Sequence, residues 1–341
     1  MGPVVLPGPL DAPVIRSRRA RIGQLAGRRL LYGVPLVLVV SLATFALAAA
    51  SPFDPLEAYL GGSGDGFTEA ERGALRETLG LNQHWFTAWW QWLTHALTGD
   101  LGYSRSFHEP VAQVLSERLG WTALLGVSGS IVAVLLSAAL GIAAGLRAGG
   151  LADRLISAFA VVLYAVPPFI VALGAVLLFA VTLRWAPAAG LSDPGEAITA
   201  ASTARHLFLP ALVLGLSQVP PLALGLREAI TSAAAGDAVR GARARGLPWR
   251  IVNRRHVLPM AAAPFFALVG GRLPELLVGA TVVETVFAWP GLGDAVVNSA
   301  RALDFPLLAV VIVLTVTLVV LGNLAADVAA AVVDPRIEAD G

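Results

Sequence analysis

Apolar positions along this chain fall into six long runs whose limits are set by charged residues. Residues 30–50, 119–146, 155–183, 207–226 and 305–326 contain no Asp, Glu, Arg or Lys, and 261–283 contains only Arg272 and Glu275. At 1.5 Å per residue, about 20 helical residues cross the roughly 30 Å of a bilayer's hydrocarbon. The pattern therefore predicts an all-α integral membrane protein with six transmembrane helices. The second and third runs exceed a perpendicular crossing and should tilt or extend beyond the bilayer. Pro167-Pro168 and Pro220-Pro221 should kink the third and fourth helices, because each proline removes a backbone donor.

The polar segments give the orientation. Residues 1–29 carry six arginines and residues 227–260, between the fourth and fifth runs, carry seven. With the loop 147–154 and the tail 332–341, this face holds sixteen arginines against seven on the other. Arginine excess marks the cytoplasmic side, so both termini are expected inside. The first 24 residues, rich in Pro, Gly and Arg, read as a disordered arm.

Residues 51–118 form the largest outer segment, with nine acids to four arginines. Thr68-Glu69-Ala70-Glu71 has the form of a capping box opening a short helix to about Leu79. Trp85, Trp89, Trp90 and Trp92 then crowd into WFTAWWQW. Indoles favour the headgroup level, so this stretch fits an interfacial helix on the outer leaflet, or a docking surface for an extracytoplasmic partner. Ala48-Ala49-Ala50-Ser51 has the look of a signal-peptidase site. The run before it is longer than a signal peptide's apolar core, and five further spans would hold the chain in the membrane.

Composition narrows the function classes. The 341 residues are 56% apolar and 14% charged, where soluble proteins are nearer 45–50% and 25%. That excludes an ordinary soluble enzyme and a disordered regulator. A net charge of +1 gives no reason to expect nucleic acid. With no cysteine there is no thiol nucleophile, disulfide or cysteine–metal site, and with no lysine there is no P-loop of the GxxxxGK[ST] type. If transport is driven by ATP, another chain binds the ATP and its Mg²⁺; this chain is expected to hold no cofactor or metal and to catalyse no covalent chemistry.

The most informative stretch is GDAVRGARARGLPWRIVNRRHVLPMA, between the fourth and fifth runs. On its residues alone it fits either an arginine-rich helix on anionic lipid or a helix that docks a partner protein. Its motifs decide between them by resemblance. Gly246 is followed thirteen residues later by Pro259, at the end of His256-Val257-Leu258-Pro259. Before it stand Asp237-Ala238-Val239-Arg240-Gly241-Ala242-Arg243-Ala244-Arg245-Gly246-Leu247, and after it Arg255-His256. Further matches are Gly99-Asp100-Leu101-Gly102, His206-Leu207-Phe208-Leu209-Pro210, Glu284-Thr285-Val286-Phe287-Ala288-Trp289-Pro290-Gly291-Leu292-Gly293, Asn323, Asp327 and Asp334-Pro335-Arg336. In these features the chain resembles the permease subunits of ATP-binding-cassette (ABC) importers, in particular the B-type subunit of the dipeptide, oligopeptide and nickel group. The resemblance covers roughly residues 25–337; the Glu of the general importer motif is replaced by Gly241.

The resemblance implies a type-I importer fold with its core over 119–331, in the cytoplasmic (inner) membrane. It implies two ATPase subunits, a second homologous permease forming a heterodimer, and an extracytoplasmic solute-binding protein. A coupling helix near 236–250, within the loop 227–260, would sit in a cleft of the ATPase. Asp237, Arg240, Ala242, Arg243, Gly246, Leu247, His256, Leu258 and Pro259 would form that interface, with Glu284 and Trp289 near an outer gate. The physics agrees: the arginines suit an acidic partner surface, Gly246 permits a tight turn, and Pro259 suits a helix's first turn. His256 reads either as a structural hydrogen-bonding residue or as a proton-coupled one. The implied solutes are di- or oligopeptides, with nickel, glutathione or opine-like solutes as alternatives.

Inside the fifth run, Arg272 and Glu275 are three apart and share a helix face. Charges there are costly, so they read either as polar lining of a solute pathway or as an ion pair buried between helices. Asn323 and Asp327 share a face of the sixth run and suit helix–helix bonding. A rival class, a secondary transporter without ATPases, would spread ionisable residues across several spans and show an inverted repeat. Here they concentrate in one span. A membrane-anchored signalling protein would need a sizeable soluble domain, for which the sequence shows no segment.

Overall fold

The second and fourth apolar runs become the two central helices. In a computed structural model, which describes residues 18–52, 54–60, 67–78, 81–302 and 304–333, α5 spans Val111–Gly145 and α8 spans Ala200–Ala235. They lie side by side in parallel. Gly129, Ala133, Ser137, Gly141 and Gly145 recur every fourth residue on α5, all buried. A Cβ on Gly129 would come within 2.8 Å of Leu214, one on Gly141 within 2.9 Å of the Ala223 carbonyl, and one on Gly145 within 2.8 Å of Ile230. Without hydrocarbon-to-water transfer to drive association, membrane helices gain from such close backbone approach.

The other elements, in chain order, are α1 (Arg18–Ala49), α2 (Pro55–Leu60), α3 (Glu69–Thr78) and α4 (Trp85–Leu97), then the short antiparallel pair β1 (Tyr103–Ser104) and β2 (Glu109–Pro110). After α5 come α6 (Leu151–Ala165), α7 (Pro168–Ala175) with a π-helical continuation over Val176–Thr182, and α8. Then follow α9 (Asp237–Ala244), α10 (Trp249–Val252), a π-helical turn Asn253–Val257, α11 (Leu258–Gly271), α12 (Leu273–Val286), α13 (Leu292–Arg301) and α14 (Phe305–Val333). Because α1 starts at Arg18, the last residues of the expected disordered arm are helical. Asp334-Pro335-Arg336 and most of the arm lie outside the described residues.

Two predicted spans are broken. Val166 stands before a proline, which pushes it out of the helical region to φ −87°, ψ 125°, and Pro167 is extended too. The chain turns through 102° between α6 and α7. The fifth run divides at Arg272 into helices of 14 residues each. Gly270 and Gly271 are poor helix formers and Pro274 offers no N–H to continue the ladder. Each half is about 21 Å long, short of a crossing. Among the described residues, four helices are therefore long and apolar enough to span, five if α6 and α7 count as one. By contrast, Pro210, Pro220 and Pro221 all lie within the unbroken α8.

The outer segment is folded against the spans. Thr68 caps α3: the Glu71 amide donates to its hydroxyl (3.3 Å) while the Thr68 amide and hydroxyl both donate to Glu71 (2.8 Å). The Thr68 backbone N–H, then its hydroxyl, hold the Glu71 carboxyl below its ordinary range. Trp89 is buried and its indole N–H donates to Ser41 of α1 at 3.1 Å, while Phe86 and Trp90 face outward. This docks α4 on α1. In turn α1 lies on α14, where a Cβ on Gly33 would come within 2.7 Å of Val320.

Candidate functional site

The arginine-rich loop folds as a discrete element against the spans. Gly236 ends α8 and, without an intervening linker, begins α9. Val239 and Ala242, three apart, are the buried face of α9; they join Ile230 and Ala233 of α8, Val252, Val257 and Phe265 in one apolar cluster. The opposite face is exposed and carries Arg240 and Arg243, with Arg245 at the helix end. Asp237 and Arg240 pair on the surface, and the Arg243 guanidinium lies 5.4 Å over the Trp249 ring. Gly246 has φ +79°, the left-handed conformation an L side chain resists. Its N–H bonds to the Arg243 carbonyl (2.9 Å) and that of Leu247 to the Ala242 carbonyl (3.3 Å), the paired bonds of a Schellman cap. Leu247, His256 and Leu258 are half-buried beneath this platform, and Pro259 lies in the first turn of α11. The structure thus brings all nine residues of the expected interface into one region around α9–α11.

Arg272 and Glu275 do pair with each other. They also occupy the two helix ends that the break creates: Arg272 sits at the carbonyl end of α11 and Glu275 in the first turn of α12. Each charge is the sign that its helix end favours. Glu275 remains more than half exposed (55%), so the pair is not sealed between the helices of this chain. Asn323 and Asp327 both fall on α14; the Asp327 side chain is outside the described residues.

Glu284 is fully buried near the C-terminal end of α12. The Thr122 hydroxyl of α5 donates to it at 2.7 Å, and the Gly293 N–H at the start of α13 at 2.5 Å. The same Thr122 hydroxyl accepts from the Leu292 N–H at 2.8 Å. A Cβ on Gly291 would collide with the Glu284 carboxylate, and one on Gly293 with Thr281 and Glu284, so both positions need glycine for close approach. Trp289, also fully buried, donates its indole N–H to the Trp121 carbonyl (3.0 Å) and stands edge-on to the Trp121 ring. Glu284 and Trp289 therefore join α12, α13 and the N-terminal half of α5. A small cavity lined by Thr122, Thr281, Glu284 and Thr315 lies beside them.

Two buried carboxylates escaped the sequence reading. Asp304 accepts from the Ser104 hydroxyl (2.6 Å), the Ser106 hydroxyl (2.7 Å) and the Ser106 N–H (2.9 Å), tying the β1–β2 hairpin to the start of α14. Asp153 of α6 takes a bidentate bond from Arg227 of α8, at 2.6 and 2.8 Å. The Gly149 N–H also donates to Asp153, at 2.8 Å. Partners 74 residues apart leave no local pattern to read. Among the described residues, no three His, Asp or Glu side chains gather as a metal site.

Comparison with known proteins agrees with this geometry. Residues 137–339 match the family described as binding-protein-dependent transport system inner membrane component. The oligopeptide transport system permease protein AppB of Bacillus subtilis is 31% identical over 312 residues, 91% of this chain and 98% of AppB. The glutathione transport system permease protein GsiC of Salmonella paratyphi A is 32% identical over 310 residues, 91% of this chain and 97% of its own. Among solved structures, a chain of the inward-facing MetNI methionine ABC transporter superposes with a TM-score of 0.53 at 18% identity, over 65% of this chain and 97% of that one, which shows a shared fold. The chain belongs to the binding-protein-dependent transport system inner membrane component family: it is a multi-pass permease subunit of an ABC importer, a transporter component and not an enzyme.

Proposed function

We propose that this chain is one of two transmembrane subunits of an importer that carries short peptides across the cytoplasmic membrane. Two separate ATPase subunits bind the ATP and Mg²⁺, the second permease is a homologous but different chain, and an extracytoplasmic binding protein delivers the solute. The chain crosses six times with both termini inside, α6–α7 and α11–α12 each serving as one broken span.

The observation that carries this reading is α9. Its apolar edge is bedded in the inner ends of α8 and α11, its arginine face is exposed, and Gly246 caps it in a conformation that keeps its end compact. Such a helix passes a push from a bound partner straight into α8. Arg272 and Glu275 line the solute pathway at the break, and Glu284 with Trp289 seals the outer mouth. The named substrates of AppB and GsiC support a peptide solute, glutathione being itself a small peptide.

The test is uptake by the reconstituted complex. Gly246→Trp should abolish peptide uptake while leaving insertion in the membrane intact; retained uptake contradicts the docking assignment. Competition among labelled di- to pentapeptides, glutathione and Ni²⁺ then assigns the solute, and uptake of Ni²⁺ but no peptide overturns the peptide reading.

A further inference from the structure

The first helix of the third span packs on α5 and α8 with few of its residues fully buried. Along α6, Leu155, Phe159, Val161, Val162 and Tyr164 all face outward, and its two buried residues are Asp153 and Ala160. Asp153 lies in the first turn, where a carboxylate is favoured by the helix end, and its side chain is 4% exposed. Both its oxygens are taken by Arg227, through Nε at 2.6 Å and Nη2 at 2.8 Å. The Gly149 N–H and the Ser157 hydroxyl complete the set, at 2.8 and 3.3 Å. A bidentate guanidinium–carboxylate pair fixes direction as well as distance, which a single hydrogen bond does not. On the other side, Arg227 sits on α8 about two and a half turns before Gly236, and α8 runs unbroken to that point. Gly236 joins α8 to α9 with no slack.

We propose that the Asp153–Arg227 pair is the strut that carries a displacement of α9 from α8 into α6, making both residues positioning residues for coupling ATP hydrolysis to transport. The inference rests on the reading of α9 as the ATPase-docking helix. A push on α9 moves α8; the strut obliges the inner half of the third span to move with it. The 102° break at Val166–Pro167 then lets α7 follow a different path from α6.

The experiment uses the complete complex in proteoliposomes with its binding protein, measuring ATP hydrolysed per peptide taken up. Asp153→Asn keeps the shape and removes the charge. Its uptake should fall by about tenfold, within the usual range of coupling between sites, while ATP hydrolysis stays within about twofold, so the ratio rises. The exchange Asp153→Arg with Arg227→Asp should bring the ratio back toward the original value. Parallel loss of uptake and hydrolysis, an unchanged ratio, or failure of the single variants to assemble each overturns the strut, the last by showing a purely structural role. Gly246→Trp in the same preparation keeps the two readings apart. If it leaves uptake intact, the docking reading has failed; if it stops uptake while Asp153→Asn leaves the ratio unchanged, only the strut has.

Discussion

Gly246 shows how much a single residue's physics tells. Resemblance to the importer motif singled it out, and its φ of +79° is the reason a side chain is resisted there. A Cβ at this position would meet no neighbouring atom, so the constraint is conformational and not steric. Glu284 is the opposite case, constrained by what touches it. Replacing it with Gln puts an amide donor where Thr122 or Gly293 already donates, leaving a buried donor unmatched. We expect Glu284→Gln to lower the stability of the detergent-solubilised protein by about 1–3 kcal/mol, read as an earlier thermal unfolding midpoint. A midpoint equal to that of the unaltered chain contradicts the bonding assigned to Glu284. For Arg272 and Glu275, removal of Arg272 alone should reduce uptake more than removal of both, since the single change strands a carboxylate inside the membrane. Additive losses show independent roles.

At the scale of elements, hydropathy located the helices but not their breaks. A run of apolar residues says where backbone lies in lipid; it does not register that Gly270-Gly271 and Pro274 deny the ladder its continuation at Arg272. Pro167-Pro168 was legible as a kink because proline constrains its predecessor, whereas Pro220-Pro221 sits inside α8 without dividing it. The small residues at 129, 133, 137, 141 and 145 were hidden inside an uncharged stretch, yet they decide how α5 meets α8. Gly141→Leu should force the two helices apart and cost roughly 1–3 kcal/mol or more, seen as reduced yield of folded protein. Gly126→Leu, on the same helix with open space around it, should leave the yield unchanged. Equal tolerance of both refutes the close approach. In the tryptophan cluster, Trp89 is held by Ser41, while Phe86 and Trp90 face away from the chain.

For the whole molecule, two blocks stand out. In one, Glu284 and Asp304 bind α5, α12, α13, α14 and the hairpin together. On the arginine-rich side, Asp153–Arg227 and the apolar cluster around Val239 and Ala242 bind α6, α8, α9 and α11. The broken spans lie between them. Arginine counting suggested which block faces the cytoplasm, because net charge asymmetry is written locally in the loops; the clamps were not, because their partners are distant in sequence. With no native cysteine, a single Gln83→Cys should react with an impermeant thiol reagent on intact cells and Arg254→Cys only after permeabilisation, the reverse result inverting the topology. The central claim, that this chain works as the permease of an ATP-driven importer through α9, is tested most directly by purifying the tagged chain from its own membrane in mild detergent and identifying what accompanies it by mass spectrometry. The account predicts a second permease and ATPase chains in the native preparation, and loss of the ATPases alone with Gly246→Trp. Recovery of this chain by itself, under conditions that keep other membrane complexes whole, would contradict it.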